Sequence, residues 1–364
     1  MGVVEVGCLL LRGRVVENAR LEMPGGEGLY FESAISPGFS DAHAHPQVVD
    51  VGAGGPWRDS YEWLKNRELR VDEAAIRRDR ELSAQLAEAT ILLSLFDGVT
   101  LISLTGSLEG GIEAVRRLGA SPRVVVLPTI MSLDGWSLPE SVFVKYIENR
   151  HLWNGYFSLG FFVHSIRGAD LPMIRASFNI SRRLGLPFAL HLSEGVNEVD
   201  ELVEALGGSA RGVVAVHCVT APEECRRVGV RIVHCPTSNL YLYNTTLGSI
   251  ELFDALGSDW PLVSGTLLKT YQDAVKLHGP SLDLLNKASL GGYELYGVDP
   301  CGDLVAFDSP LEKVVRGDAR PRYVFVKGRA VVEEGMVNFY GFRRSDVERI
   351  ASERIRYAFE KYGL

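Results

Sequence analysis

Eight histidines stand in this chain of 364 residues, and most of them close apolar runs. His43 and His45 form an H-x-H pair directly after Pro37-Gly38-Phe39-Ser40-Asp41. Two residues apart on a strand, both imidazoles face the same side and could share one metal ion. His164 ends another apolar run. His191 ends the next, in His191-Leu192-Ser193-Glu194; His217 follows in Val216-His217-Cys218, and His234 in His234-Cys235-Pro236-Thr237-Ser238-Asn239. Such a set lacks only an anionic ligand. Asp259, in Leu256-Gly257-Ser258-Asp259-Trp260-Pro261, ends the last run and supplies it.

The elements that must position these residues follow from hydropathy. Short apolar runs at 38–43, 100–104, 124–128, 158–164, 188–191, 213–217, 231–235 and 255–258 read as strands. Helix-length amphipathic segments at 72–96, 108–118, 138–149, 171–184, 196–206 and 221–227 lie between most of them, with 267–278 and 281–290 after the last. Near-continuous apolar strands alternating with helices predict a covered parallel sheet. Eight such units over about 250 residues are the arithmetic of a (β/α)8 TIM barrel, spanning 37–300, whose active site lies at the carboxyl ends of the strands. A doubly wound open sheet is the alternative, but no GxGxxG turn follows the first strand. Strand patterns return at both ends, at 3–11, 13–16 and 29–33 around a Pro24-Gly25-Gly26 turn, and at 303–308, 323–326 and 330–333. They predict a small β-sandwich domain built from residues 1–36 and 301–340. Residues 341–364 follow as a C-terminal helix, with Val347, Ile350, Ala351, Ile355 and Phe359 at helical spacing.

Composition removes several function classes. Hydrophobic residues at 46% and charged residues at 23% belong to a folded chain. The net charge of -8 argues against nucleic acid as a partner. No run of about 18 apolar residues predicts a membrane span. Five scattered cysteines without a CxxC, and an amino terminus without a basic leader, point to a reducing, cytoplasmic compartment.

At this point the residues resemble a known family. The Pro37–His45 stretch is similar to the first-strand signature of the amidohydrolase superfamily. The HLSEG, VHC, HCPTSNLYLYN and LGSDWPLVSG stretches follow in that family's order, and GDLVAFD with VFVKGRAVVEEG resembles its accessory β-sandwich. The wording is closest to the deaminase and chlorohydrolase-like branch. The resemblance implies that His43, His45, His191 and Asp259 bind one divalent metal, zinc first and iron as the alternative. It makes Glu194 a proton shuttle and sets His217 beside the reacting water, with Asp259 a ligand that also takes part in catalysis. His164 would contact a small-molecule substrate, and His234 and Asn239 would shape or support its pocket. No Lys stands in 158–164 to bridge a second metal, so one ion is expected.

The implied chemistry is cleavage of a C–N bond. A bound metal lowers the pKa of water from 15.7 towards about 7. A carboxylate such as Glu194 can then take a proton and deliver it to the leaving nitrogen, which departs well only when protonated. Deamination of a nitrogen heterocycle comes first; opening of a cyclic amide, or a non-catalytic metal-binding barrel, are the alternatives. The short 244–257 segment permits a second alignment, with the last strand at 261–265 and Leu267 where an Asp is expected.

Other residues carry blander readings. Trp57, Tyr61 and Trp63 follow the H-x-H pair as either a lid or packing residues. Arg58 and Arg167 could fork onto a carboxylate, but only 8 of 38 basic residues are Lys and a surface role fits both. Cys218 and Cys235, as strand neighbours of histidines, are expected in the layer between barrel and helices. Lys269 is expected on a helix. The charged face of the last helix leaves room for a homodimer.

Overall fold

In the computed structural model, residues 2–11, 13–23, 29–119 and 121–364 are described. The Pro24-Gly25-Gly26 turn lies outside the described residues. The amino terminus forms β1 (Gly2–Leu11), β2 (Arg14–Met23) and β3 (Tyr30–Pro37). The barrel strands follow: β4 (Phe39–Ala44), β5 (Val99–Gly106), β6 (Arg123–Ile130), β7 (Phe157–Leu159), β8 (Phe161–Val163), β9 (Phe188–Leu192), β10 (Val214–His217), β11 (Arg231–His234) and β12 (Ala255–Leu256). They run parallel in the order β4-β5-β6-β8-β9-β10-β11-β12, with helices between them, as a TIM barrel.

Strands β7 and β8 share one barrel position. β7 pairs the first half of β6 and β8 its second half. The break falls at Gly160, where a Cβ would stand 2.5 Å from the Leu127 side chain and 2.7 Å from the Pro187 carbonyl oxygen. Only glycine permits that approach.

The pleat sorts the strand residues into two layers. Ala42, Leu101, Val125, Leu127, Phe162, Ala189, Val216 and Val233 form the barrel interior. Their sequence neighbours face a larger cluster between strands and helices. Every residue of β5 and β6 is buried, as a covered parallel sheet requires.

The helices depart from expectation at several points. The 72–96 segment divides into Glu73–Arg78 and Arg80–Phe96, because Asp79 ends the first and caps the second, its carboxylate accepting the Leu82 N–H. The Pro236–Tyr243 helix was not anticipated, although Pro236 at its first position is a start signal. The short connection into β12 adds one 3-10 turn, Ile250–Leu252. Residues Pro261–Ser264 are helical, which removes the second alignment of the last strand.

Strands β13 (Leu304–Phe307), β14 (Pro321–Val326), β15 (Arg329–Glu333), β16 (Met336–Val337) and β17 (Phe342–Arg343) join β1–β3 in one sheet, ordered β17-β16-β15-β14-β13-β3-β1-β2. Both termini thus build a second sheet separate from the barrel. The last helix, Arg344–Tyr362, buries Val347, Ala351 and Ala358 and packs on Arg80–Phe96 of its own chain. Among the described residues no helix is long and apolar enough to cross a membrane.

One buried ion pair ties barrel to sheet. Arg123 on β6 reaches Asp303 just before β13, with Nε to Oδ2 at 2.5 Å and side chains 7% and 0% exposed. The Tyr293 hydroxyl and the Lys327 backbone N–H donate to the same carboxylate at 2.8 and 2.7 Å. Removing one partner of a buried pair strands the other without water. Asp303→Ala is therefore expected to destabilise the fold by about 3–5 kcal/mol. Urea unfolding followed by circular dichroism checks this; a loss below about 1 kcal/mol, the level of an exposed pair, would contradict it.

Candidate metal centre and active site

Three strand ends deliver four donors to one point. His43 and His45 end β4, His191 lies in β9 and Asp259 follows β12. The His191 Nε2 lies 3.2 Å from His43 Nε2 and 3.3 Å from His45 Nε2. Asp259 Oδ1 lies 3.4 Å from His43 Nε2 and 3.6 Å from His45 Nε2. All four residues are buried. Donors about 2.0–2.1 Å from a tetrahedral ion stand roughly 3.3 Å from one another. The measured edges fit that spacing, so the four residues suit one divalent ion.

The surroundings favour ligand states. Burial pushes His45 and His191 well below the usual histidine range, and neighbouring imidazoles add to it. Burial also lowers His43, against the pull of Asp259. Neutral imidazoles keep a lone pair for a metal. Burial alone would raise the Asp259 carboxyl; its hydrogen bond with His43 and the nearby histidines hold it well below its usual range. The other His43 nitrogen, Nδ1, is 3.2 Å from Thr105 Oγ1 on β5, a contact that fixes the ring.

Next to this cluster lies a buried carboxylate–imidazole pair. Glu194 Oε1 is 2.6 Å from His217 Nε2. His217 Nδ1 donates to Asn239 Oδ1 at 2.8 Å, and the Tyr243 hydroxyl donates to Glu194 Oε2 at 3.3 Å. Burial would lower His217, but the Glu194 charge and hydrogen bond, followed by Asp259, raise it to about 9. The second oxygen of Asp259 faces His217 at 3.9 Å.

Backbone strain aims these side chains. Ser193, His217, Cys218 and Asp259 have φ of 55°, 77°, 45° and 63°, in the left-handed region that non-glycine residues avoid. Each such residue costs on the order of 1–3 kcal/mol. All four lie at the carboxyl ends of β9, β10 and β12.

A cavity of about 410 Å³ opens onto His45, His191, Glu194, His217 and Asp259, and His164 lines it as well. Burial lowers His164 to about 4, against the pull of the Glu194 charge. Trp63 also lines the cavity and packs on Trp260, with ring centroids 5.7 Å apart. Tyr61 instead donates to Glu198 Oε1 at 2.5 Å, and Trp57 Nε1 donates to the Ala53 carbonyl at 3.2 Å.

Two placements correct the sequence reading. His234 does not reach the cavity: its ring lies 4.6 Å from Phe253, and its Nε2 is 3.5 Å from His278 Nε2. Cys235 takes the inward position instead, grouped with His217 and Asp259. A strand exchanges its faces with every residue, and β11 carries Val233 and Cys235 inward. Cys218 does lie outside the barrel, with its Sγ 2.9 Å from Cys225 Sγ. Asn239 supports His217 rather than lining the cavity. Arg58 and Arg167 sit on exposed ion pairs with Asp59 and Glu201, and Lys269 pairs with Asp273 along its helix.

Sequence reasoning missed three contributors. Tyr243 stood inside the quoted HCPTSNLYLYN stretch without a role. Asp41 stood inside the H-x-H signature; it accepts Ser258 Oγ at 2.6 Å and Ser258 N–H at 2.9 Å, and burial pushes it up to about 7. Arg77, in the cavity wall, carried no motif at all.

The family described as Amidohydrolase family matches residues 34–338. A 5-methylthioadenosine/S-adenosylhomocysteine deaminase of Natronomonas pharaonis is 27% identical over 253 residues, 54% of this chain and 57% of that protein. The chain thus spans little more than half the length of this curated relative. Among solved structures, a zinc-bound adenosine deaminase of Xanthomonas campestris superposes with a TM-score of 0.77 at 18% identity, covering 98% of both chains. An atrazine chlorohydrolase mutant of Arthrobacter aurescens, solved with zinc and atraton, gives 0.75 at 16% identity, covering 98% of this chain and all of that one. At such identities the likeness concerns the fold.

Stripped protein reloaded with zinc or iron should hold about one ion per chain. Zinc at a hundredfold excess over its Kd should stabilise the fold by about 2.7 kcal/mol. Elemental analysis and thermal melting measure both. Substantially less than one ion after reconstitution, or full retention in His191→Ala, would contradict the assignment.

Proposed function

The chain belongs to the amidohydrolase family, and from that premise we propose a metal-dependent hydrolase that releases ammonia from an amino-substituted nitrogen heterocycle. The observation that carries it is the Glu194–His217 pair, held at 2.6 Å on the same cavity as the four-donor cluster. The deaminase activity of the Natronomonas relative, on 5-methylthioadenosine and S-adenosylhomocysteine, favours an aminopurine ring as the substrate core. His43, His45, His191 and Asp259 would hold the ion. Zinc is the first choice, since nitrogen and carboxylate donors at these spacings suit it and similarly folded proteins hold it; iron shares the ligand preference. When bound, the ion supplies a nucleophile from water at neutral pH, bringing that pKa towards about 7.

The protein's own residues handle the protons. Glu194 takes a proton from the attacking water as the new C–O bond forms at the ring carbon. The same carboxyl then delivers it to the exocyclic nitrogen. The C–N bond breaks with its electron pair on nitrogen and ammonia leaves; the oxygen stays on the ring as a hydroxyl, whose proton passes to the adjacent ring nitrogen to give the oxo form. His217, protonated and fixed by Asn239, donates its Nε2–H to Glu194 Oε1 before the transfer and to the added oxygen once the carboxyl carries the proton. Tyr243 donates to the second Glu194 oxygen, so the remaining lone pair of Oε1 takes the proton. His164 borders the space where the ring would lie. Five cysteines without a disulfide suit a reducing compartment, which we take to be the cytoplasm.

A panel of aminopurines, aminopyrimidines, aminotriazines and cyclic ureas, assayed for ammonia release with metal-loaded protein, tests the reading. Ring opening without ammonia would move it to cyclic-amide hydrolysis, and no turnover across the panel would overturn it. Glu194→Gln should keep its metal and lose about 10²–10⁴-fold in kcat. Unchanged kcat in that variant would remove Glu194 from the mechanism.

A further inference from the structure

The turn that carries Glu194 is closed by a carboxylate that the proton transfer does not use. Glu198 is buried, and both of its oxygens accept hydrogen bonds: Oε2 from the Ser193 N–H at 3.1 Å and Oε1 from the Tyr61 hydroxyl at 2.5 Å. Its backbone N–H returns to Ser193 Oγ at 3.2 Å, so the two ends of the 193–198 loop hold each other. Glu198 stands directly before the Val199–Ala205 helix, the usual place for a capping side chain, yet it caps nothing there. Asn197 Oδ1 accepts the Val199 N–H instead, at 3.1 Å. Arg167, with Nε 4.0 Å from Glu198 Oε1 and its guanidinium 5.4 Å over the Tyr61 ring, supplies the countercharge.

The same turn is pinned from its other side by the helix Ser60–Asn66. The Ser60 N–H donates to the Glu194 carbonyl at 3.0 Å. Gly195, at a φ of 90°, approaches that helix start so closely that a Cβ would stand 2.1 Å from the Arg58 carbonyl oxygen. Tyr61 belongs to this helix, as do Trp63 and Leu64 of the cavity wall. Each hydrogen bond of the Glu198 side chain therefore ends on Ser193, the strained residue directly before Glu194, or on the helix that walls the cavity. A bond to a charged acceptor is roughly twice as strong as a neutral one. Such a bond suits the task of keeping Ser193 at a φ of 55°, outside the backbone regions that it prefers.

We propose that Glu198 and Tyr61 are positioning residues for the proton transfer: they hold the Ser193 turn in the conformation that sets Glu194 Oε1 against His217 Nε2, and they join that turn to the cavity wall. This inference rests on the proposed reading of Glu194 as the proton carrier. Without the Glu198 carboxylate, the Ser193 N–H loses its acceptor and the left-handed turn loses its charged tie. Rotation about the Ser193 backbone then swings the Glu194 side chain away. His191, two residues earlier and inside β9, keeps its pairing with β10. The four-donor cluster should therefore persist while proton transfer fails. A displacement of about 1 Å at a reacting group can cost about 10²-fold in rate.

Zinc-loaded Glu198→Ala tests this by crystallography and kinetics. Its Glu194 Oε1–His217 Nε2 separation should widen from 2.6 Å to beyond about 3.5 Å, outside hydrogen-bond range. Its kcat for ammonia release from the best substrate of the panel should fall about 10- to 100-fold, with KM changed less than about threefold. Glu198→Gln, whose amide oxygen can still accept the Ser193 N–H, should recover most of that loss. In the Glu194→Gln background, adding Glu198→Ala should lower the residual kcat less than about threefold, because both changes act on one group. A general weakening of the fold would multiply the two losses instead. Metal content and melting temperature confirm folding; where Glu198→Ala does not fold, Tyr61→Phe carries the same predictions with a kcat loss of about three- to tenfold. An unmoved Glu194, or fully multiplied losses in the double variant, overturns the inference. A moved Glu194 in a protein that turns over nothing in the panel defeats only the proposed reaction. Turnover indifferent to Glu198 defeats this inference alone.

Discussion

Asp259 joins two tasks that other residues perform separately. Its backbone N–H donates to the His43 carbonyl at 2.9 Å, and its carbonyl accepts the His45 N–H at 2.6 Å. Those two bonds bridge the end of β12 to the end of β4 and close the barrel there. Its carboxylate meanwhile completes the donor cluster with one oxygen and faces His217 with the other. The seam and the candidate metal centre are therefore one structure. β12 is only two residues long, so little else holds the last strand to the first. Asp41 supplies a further grip through Ser258, which explains a carboxyl buried two residues before His43.

That arrangement explains where the backbone strain sits. A strand in regular conformation sends alternate side chains to opposite faces and cannot point consecutive groups at one centre. Left-handed turns at Ser193, His217, Cys218 and Asp259 release the chain from that alternation where β9, β10 and β12 end. The surrounding hydrogen bonds maintain the strained forms. Ser193, for example, donates its N–H to Glu198 while its hydroxyl accepts the Glu198 N–H, at 3.1 and 3.2 Å.

The same logic separates what the sequence discloses from what it conceals. His43 and His45 are legible because period two is a local property of a strand. His191, Glu194 and Asp259 are legible through their place at the ends of apolar runs. His234 and Cys235 are not, because the terminal residue of a four-residue strand faces in or out according to register with β10 and β12. The Asp79 break is a capping decision inside a continuous amphipathic pattern, and periodicity cannot register it. Arg77 is hidden for a further reason. It lies in a short helix of mixed charge, where the pattern reads as solvated surface, and only the packing of Trp136 and Glu73 around it makes it a buried wall.

Electrostatic sorting of identical side chains follows from their neighbours. His45, His191 and His217 are all buried, and desolvation disfavours the charged form of each. His45 and His191 face mainly other imidazoles, whose mutual repulsion drives them further towards neutrality. His217 faces Glu194 and Asp259, and those charges reverse the shift to about 9. Two neutral donors and one persistent cation thus arise from one residue type within a few ångströms. The difference is set by which carboxylate each ring meets: Asp259 turns one oxygen to the donor cluster and the other to His217, while Glu194 turns to His217. The division of labour in the site therefore lies in the strained strand ends that aim the carboxylates more than in the histidines that the sequence displays so plainly.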